Sequence, residues 1–351
     1  MRLSLNQFAD AINSVGDRVT ICGRGEPGIG KSSVLKTISA LRPDFDTAYI
    51  DCTLLDLGDI ALPYIDTTDG DKTTRFAPNA RFQLHTGRPA IVMLDELTKA
   101  SHSVKNALLT LLQERRIGDS YLHRDSIVFA TGNMDNDSVG DSLQAHARNR
   151  LCIIDIAKPT ATDWAAWAMG SNINPLIIAF VMQYPQVLAS YIDAGAGNDN
   201  PYIYNPKMHQ IGAFVTPRSL EQASHILDQR TNLDHATVIA MLAGVIGMAA
   251  ALDMSAFIDI ADTLPSWFAI TSTPHSAPVP DSPMARAILV YSAVSKVTAA
   301  NLAAWMVYCQ RLDLEFQAIF ASQVLRGPAK QIATNSRDFI NWCAANSWAV
   351  C

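Results

Sequence analysis

The segment Gly25-Glu26-Pro27-Gly28-Ile29-Gly30-Lys31-Ser32 holds the residue types that phosphate binding demands. Phosphate oxygens need closely spaced backbone N–H donors, and glycine lets the chain wrap where a side chain would block the approach. The spacing G-x-x-x-x-G-K-S follows an apolar run and precedes a helix that Ser33 opens. In that context it predicts a loop cradling the phosphates of a nucleotide, with Ser33 counted among the binding residues. The helix N-terminus adds partial positive charge. Lys31 supplies a mobile cation for the β- and γ-phosphates, and Ser32 a hydroxyl for Mg²⁺.

Further residues fit a hydrolytic site. Ile91-Val92-Met93-Leu94-Asp95-Glu96 reads as a buried strand ending in two carboxylates. Asp95 suits Mg²⁺ held through its water shell. Glu96 can polarise an attacking water, which points to hydrolysis rather than nucleotide storage. Thr131-Gly132-Asn133 ends the next strand, where Asn133 would orient that water. Arg148 and Arg150, in Arg-Asn-Arg-Leu before a fifth strand, could reach a γ-phosphate held by a neighbouring subunit. Thr216-Pro217-Arg218-Ser219 reads as a helix start, with Thr216 as N-cap and Pro217 in the first turn. Arg218 would contact the nucleotide from there.

Those residues need a scaffold. Residues 1–157 alternate short apolar runs with helical periodicity: a helix over 6–15, then runs at 19–22, 48–51, 91–95, 127–131 and 151–154. Continuous apolar runs separated by helices predict a parallel sheet covered on both faces, with ligands at the carboxyl ends of the strands. From Lys158 the pattern is helical: 162–169, 175–192, 217–229, 236–260, 285–311, 314–324 and 339–345, with a turn-rich loop at 198–208. The proline-rich stretch 264–283 reads as a linker or extended arm.

Composition narrows the partners. The 351 residues exceed the ~250–300 at which one core stops growing, so more than one domain is expected. The net charge of −6 excludes a broad basic nucleic-acid footprint. Charged residues make up 17% of the chain and are sparser after residue 157, so the second part must hide apolar surface in a core or against partners. The six cysteines form no C-x-x-C pair and read as buried thiols of a cytoplasmic protein. The N-terminus lacks the apolar core of a signal peptide. Ala236–Leu252 carries no charge, but it lacks basic flanks and an aromatic belt, so a packed helix is expected rather than a membrane span.

In this order the motifs resemble those of the AAA+ ATPases: Walker A at 25–32, Walker B at Asp95 and Glu96, sensor 1 at Asn133, an arginine finger at Arg150 or Arg148, and sensor 2 at Arg218. The resemblance covers residues 1 to about 230. Three segments resemble the MoxR-like branch: Leu55–Pro63, similar to its helix-2 insertion; Lys99–Arg116, similar to its helix after Walker B; and Ile117–Arg124, similar to its pre-sensor hairpin. The resemblance implies a three-layer αβα P-loop fold with strand order 5-1-4-3-2, followed by an all-helical lid; the helical pattern beyond the lid adds a C-terminal extension. The corresponding domains are 1–157, 158–232 and 233–351. It also implies ATP and Mg²⁺ at sites between subunits of a ring, usually hexameric, doing chaperone-like or metal-insertion work on a protein client. A von Willebrand A-domain protein is a frequent partner of that family. A nucleic-acid motor is the alternative, since Arg115, Arg116 and Arg124 lie at the hairpin. Two departures stand out: about 120 residues follow the helix that Arg218 opens, and Arg-Asn-Arg-Leu replaces the commoner Asp-Arg-Phe.

Overall fold

The computed structural model describes residues 1–68, 72–134, 149–193, 200–204 and 212–349. The chain divides into two units, Met1–Lys158 and Pro159–Cys351.

The first unit opens with β1 (Arg2–Leu3) and α1 (Leu5–Val15). Ser4 starts α1 through a capping box: its hydroxyl accepts from Gln7 N–H, and its own N–H donates to the Gln7 side chain. Next come β2 (Ile21–Arg24), α2 (Ser33–Leu41), β3 (Asp46–Asp51) and the single turn α3 (Leu57–Ile60). A hairpin of β4 (Ala61–Asp66) and β5 (Thr73–Pro78) precedes β6 (Ala90–Asp95) and α4 (His102–Glu114). A small hairpin of β7 (Arg116–Ile117) and β8 (Ser120–Tyr121) leads to β9 (Ile127–Gly132) and β10 (Cys152–Ile156).

The central sheet is parallel, in the order β1-β10-β2-β9-β6-β3. Without β1 this is the expected 5-1-4-3-2 arrangement of a P-loop fold. β1 escapes a sequence reading because two residues carry no periodicity. β6 and β9 are buried at every position, and alternate residues serve opposite faces. Ile91, Met93, Ile127 and Phe129 pack with Phe8, Ile12, Val34 and Ile38 of α1 and α2. Val92, Leu94, Val128 and Ala130 pack with Val104, Leu108 and Leu111 of α4. That alternation produces three layers. Gly23 on β2 permits the closest approach, because a Cβ there would meet the Phe8 ring at 2.4 Å.

The second unit is helical over its described residues. Its helices are α5 (Ala161–Gly170), α6 (Pro175–Gln183), α7 (Pro217–Asp228), α8 (His235–Ile246), α9 (Met248–Asp262) and α10 (Trp267–Ser272). They continue as α11 (Pro283–Lys296), α12 (Leu302–Cys309), α13 (Leu314–Arg326), α14 (Lys330–Thr334) and α15 (Arg337–Ala345). One apolar core runs from Ala161 to Tyr291. A second joins Ile270 to Trp342, with Trp305, Tyr308, Phe320 and Phe339 as its aromatic centre.

Four expectations for this unit need correction, the first being the helix read over 175–192, which ends at Gln183 and is followed by a 3-10 turn over Pro185–Leu188. The stretch 264–283 is not a free linker: α10 forms within it, and Ile270 and Ala277 are buried in the second core. The single helix read over 236–260 is two helices, broken at Gly247, whose φ of 85° suits glycine. The helix read over 285–311 ends at Lys296, because Val297 is extended and Asn301 starts α12. Periodicity alone could not register these breaks, since both flanks keep the same apolar character. The cysteines also divide. Cys22, Cys52 and Cys309 are buried, but Cys152 is exposed and Cys343 half-buried. Burial pushes the Cys22 and Cys309 thiols up to about 12, so they stay protonated at neutral pH. Among the described residues no helix is long and apolar enough to cross a membrane.

Candidate active site

Parallel topology brings the carboxyl ends of β2, β9 and β6 side by side, and most of the predicted chemistry lies there. The loop after β2 turns through left-handed backbone at Gly28 (φ 74°) and Gly30 (φ 101°). Ile29 anchors it in the core and leaves no room for a Cβ on Gly25, which would approach Ile29 Cδ1 to 2.6 Å. Gly25 N–H donates to the Gly132 carbonyl at 3.2 Å, tying the loop to the end of β9. Pro27 sits within this turn, and Glu26 is buried. The helix that follows begins at Ser33, whose hydroxyl donates to the Gly30 carbonyl at 2.7 Å.

Lys31 is buried and donates its ammonium to the carbonyls of Gly25 (2.8 Å) and Glu26 (3.0 Å) and to Asn133 Oδ1 (2.6 Å). The loop after β2 and the residue that follows β9 are therefore in direct contact. Ser32 Oγ donates to Asp95 Oδ2 at 2.8 Å. Tyr49 donates to the same oxygen at 2.8 Å. Asp95 Oδ1 accepts from the Thr131 hydroxyl and, at 3.1 Å, from the Glu96 N–H. Burial alone would push the Asp95 carboxyl up. The hydroxyls of Thr131, Tyr49 and Ser32, with the Glu96 N–H, outweigh it and hold the group below the usual carboxylate range. Asp95 is thus an anion at neutral pH. A serine hydroxyl beside an ionised carboxylate is the hard-oxygen donor set that suits Mg²⁺.

Glu96 follows directly in left-handed backbone, φ 53°, which costs a non-glycine residue about 1–3 kcal/mol. This turns the chain out of β6 into the short helical turn Leu97–Lys99. Lys99 Nζ stands 3.1 Å from Glu96 Oε2, a charge contact without hydrogen-bond alignment. Gly132 closes the sheet end against this turn, for a Cβ on it would meet Thr98 Cγ2 at 2.6 Å.

Arg150 is exposed in the turn before β10. Arg148 lies outside the described residues. Arg218 belongs to the second unit, exposed in the first turn of α7. The start of α7 follows the expected capping: Thr216 Oγ1 accepts from Ser219 N–H at 3.0 Å, and Pro217 occupies the first turn. Sequence reasoning missed Tyr49, the role of the Thr131 hydroxyl and Lys99. The strand order could have found Tyr49, since 5-1-4-3-2 puts β3 beside the strand that carries Asp95.

Of the hairpin arginines that the nucleic-acid alternative invokes, Arg115 and Arg116 are engaged elsewhere. Arg115 donates to the Thr20 hydroxyl, to the Leu112 carbonyl and, at 3.0 Å, to the Gly16 carbonyl. Burial lowers its pKa to about 10. Arg116 pairs with Glu114 at 2.6 Å. Arg124 is largely exposed, 3.6 Å from Asp125.

Comparison with known proteins agrees with this geometry. Residues 24–128 match the model of the AAA domain, dynein-related subfamily. No curated protein matches the chain. A candidate ATPase of Cytophaga hutchinsonii shares 18% identity over 43% of this chain and 46% of its own, with a TM-score of 0.32. Hsp104 with ATPγS and casein shares 17% identity over 42% of this chain and 30% of its own, with a TM-score of 0.32. NtrX of Brucella abortus with ADP shares 13% identity over 97% of this chain and 67% of its own, with a TM-score of 0.40. The chain thus spans less than half the length of the first two. Its P-loop, paired acidic residues and polar strand ends lie on a parallel sheet in the order of that fold. Residues 24–128 are accordingly similar to the AAA domain of the dynein-related subfamily.

Proposed function

We propose that the protein hydrolyses ATP at subunit interfaces of a ring, as a MoxR-like remodelling ATPase acting on a protein client. The observation that carries the reading is the bonded set Lys31–Asn133 and Ser32–Asp95 with Glu96 next in the chain. Lys31 neutralises phosphate charge, and the backbone of residues 25–32 wraps the phosphates. Ser32 and Asp95 would hold Mg²⁺. When bound, that ion screens the negative charge of the phosphates. Glu96 takes a proton from the attacking water, and Asn133 orients that water. Arg150, or Arg148, of one subunit completes the site of the next, while Arg218 links the nucleotide to the helical unit. The ring is read as a hexamer of cytoplasmic subunits.

The surface supports a protein client. The β4–β5 hairpin, which begins at the end of the segment that resembles the helix-2 insertion, exposes Leu62, Tyr64, Ile65 and Phe76, and its Arg75 pairs with Asp66 at 2.8 Å. Exposed apolar side chains on both faces of the hairpin suit protein contact better than a phosphate backbone, which needs free cations. A von Willebrand A-domain protein is one partner of that kind.

Turnover per chain measured across a dilution series tests the reading. It should rise steeply as chains assemble and remain indifferent to DNA at any salt concentration. Equal rates for dilute and assembled protein would remove the interfacial site. Stimulation by DNA that collapses with salt would favour a nucleic-acid motor instead.

A further inference from the structure

Tyr49 stands at the end of the sheet on β3, in register with Met93, and Asp51 pairs in the same ladder with Asp95. Its side chain is 51% exposed, so it fills little of the core. Its hydroxyl nevertheless reaches Asp95 Oδ2 at 2.8 Å, the oxygen that also accepts from Ser32 Oγ at 2.8 Å. Asp95 Oδ1 is held by Thr131 Oγ1 and the Glu96 N–H. A carboxylate offers about four lone-pair sites, and these four donors match that capacity.

The donors differ in how they are fixed. The Glu96 N–H belongs to the main chain, and Thr131 is fully buried on β9. Both constrain Oδ1. On the other oxygen, Ser32 is the residue read above as sharing the metal. Tyr49 is therefore the donor that fixes Oδ2 independently of the P-loop. Its aromatic ring is rigid, with only two side-chain torsions, so one hydrogen bond from it sets the carboxylate plane at small entropic cost.

We propose that Tyr49 is a positioning residue for the divalent metal: its hydroxyl holds the Asp95 carboxylate in the orientation that keeps Oδ2 facing Ser32 Oγ. The inference rests on the reading of Ser32 and Asp95 as the metal-holding pair. Tyr49 acts through Asp95. Outer partners of this kind tune metal affinity rather than the fold.

The test uses the full chain, a non-hydrolysable ATP analogue and Mn²⁺, with free Mn²⁺ read from its paramagnetic resonance signal. Tyr49→Phe should raise the Mn²⁺ dissociation constant about tenfold while leaving the melting temperature unchanged. Asp95→Asn, measured in parallel, should weaken Mn²⁺ more than Tyr49→Phe does. If Asp95→Asn weakens Mn²⁺ and Tyr49→Phe does not, the positioning role is overturned and the metal pair stands. Should Asp95→Asn itself leave the affinity unchanged, the metal pair falls and the role of Tyr49 falls with it. A lowered melting temperature in Tyr49→Phe with unchanged Mn²⁺ affinity would make the hydroxyl a structural bond only.

Discussion

Glu96 sits where the chain leaves β6, in a backbone conformation that only local constraint maintains. Its carboxylate faces Lys99, and its N–H is committed to Asp95. Asp95 and Glu96 are thus adjacent in sequence but differ in surroundings. Asp95 is saturated with donors and stays ionised, which suits a residue that holds a cation. Glu96 is less enclosed, which suits proton transfer. Glu96→Gln should therefore lower turnover by about 10²–10⁴-fold, the usual worth of a positioned general base. It should leave ATP binding intact, because Lys31, Ser32 and the loop backbone are untouched. Stopped turnover with retained binding of a fluorescent ATP analogue is the expected pair of results. Loss of both would mean that Glu96 supports the fold of the site rather than the reaction.

Elements were legible where hydrophobic pattern and terminal chemistry agreed. The runs at 91–95 and 127–131 are continuous and apolar, and each becomes a strand buried on both faces. The P-loop helix and the α7 start were readable from Ser33 and from Thr216-Pro217. Illegible features depended on neighbours distant in sequence. Tyr49 meets Asp95 only because β3 pairs with β6. Gly247 breaks an apolar run whose two halves are alike in composition. The structure supplies the reason for that break: a Cβ at Gly247 would lie 2.5 Å from the Ala213 carbonyl oxygen, and φ is 85°. Gly247→Ala combines left-handed strain with a backbone clash, so it should destabilise the second unit by about 2–4 kcal/mol. Urea unfolding followed by helical circular dichroism would record the shift. An unchanged midpoint would mean that the α8–α9 junction can move aside.

At the scale of the molecule, the two units carry different parts of the proposed cycle. The cluster around Lys31, Ser32 and Asp95 lies in Met1–Lys158, while Arg218 lies in Pro159–Cys351. Arg150 is exposed in its turn, as a residue that serves another copy should be. Mixing two inactive variants argues this directly. A Glu96→Gln chain keeps its arginine and lacks the base; an Arg150→Ala chain keeps the base and lacks the arginine. Mixed rings should recover turnover above either variant alone, because some interfaces pair an intact base with an intact finger. If Arg148 is the finger, Arg150→Ala alone will keep its activity and Arg148→Ala will complement instead. No recovery with either arginine variant would exclude a site shared between chains.

β1 has a consequence for handling the protein. Its two residues pair with Asp155 and Ile156, and the Leu3 carbonyl takes a bond from the Ala157 N–H at 2.8 Å. They shield the last two residues of β10, whose backbone would otherwise be open to pairing with another chain. Trimming the first three residues would uncover that ladder and invite strand-to-strand aggregation. A protease scar or a shortened start is therefore better avoided at this end, however dispensable Met1–Leu3 look in a sequence.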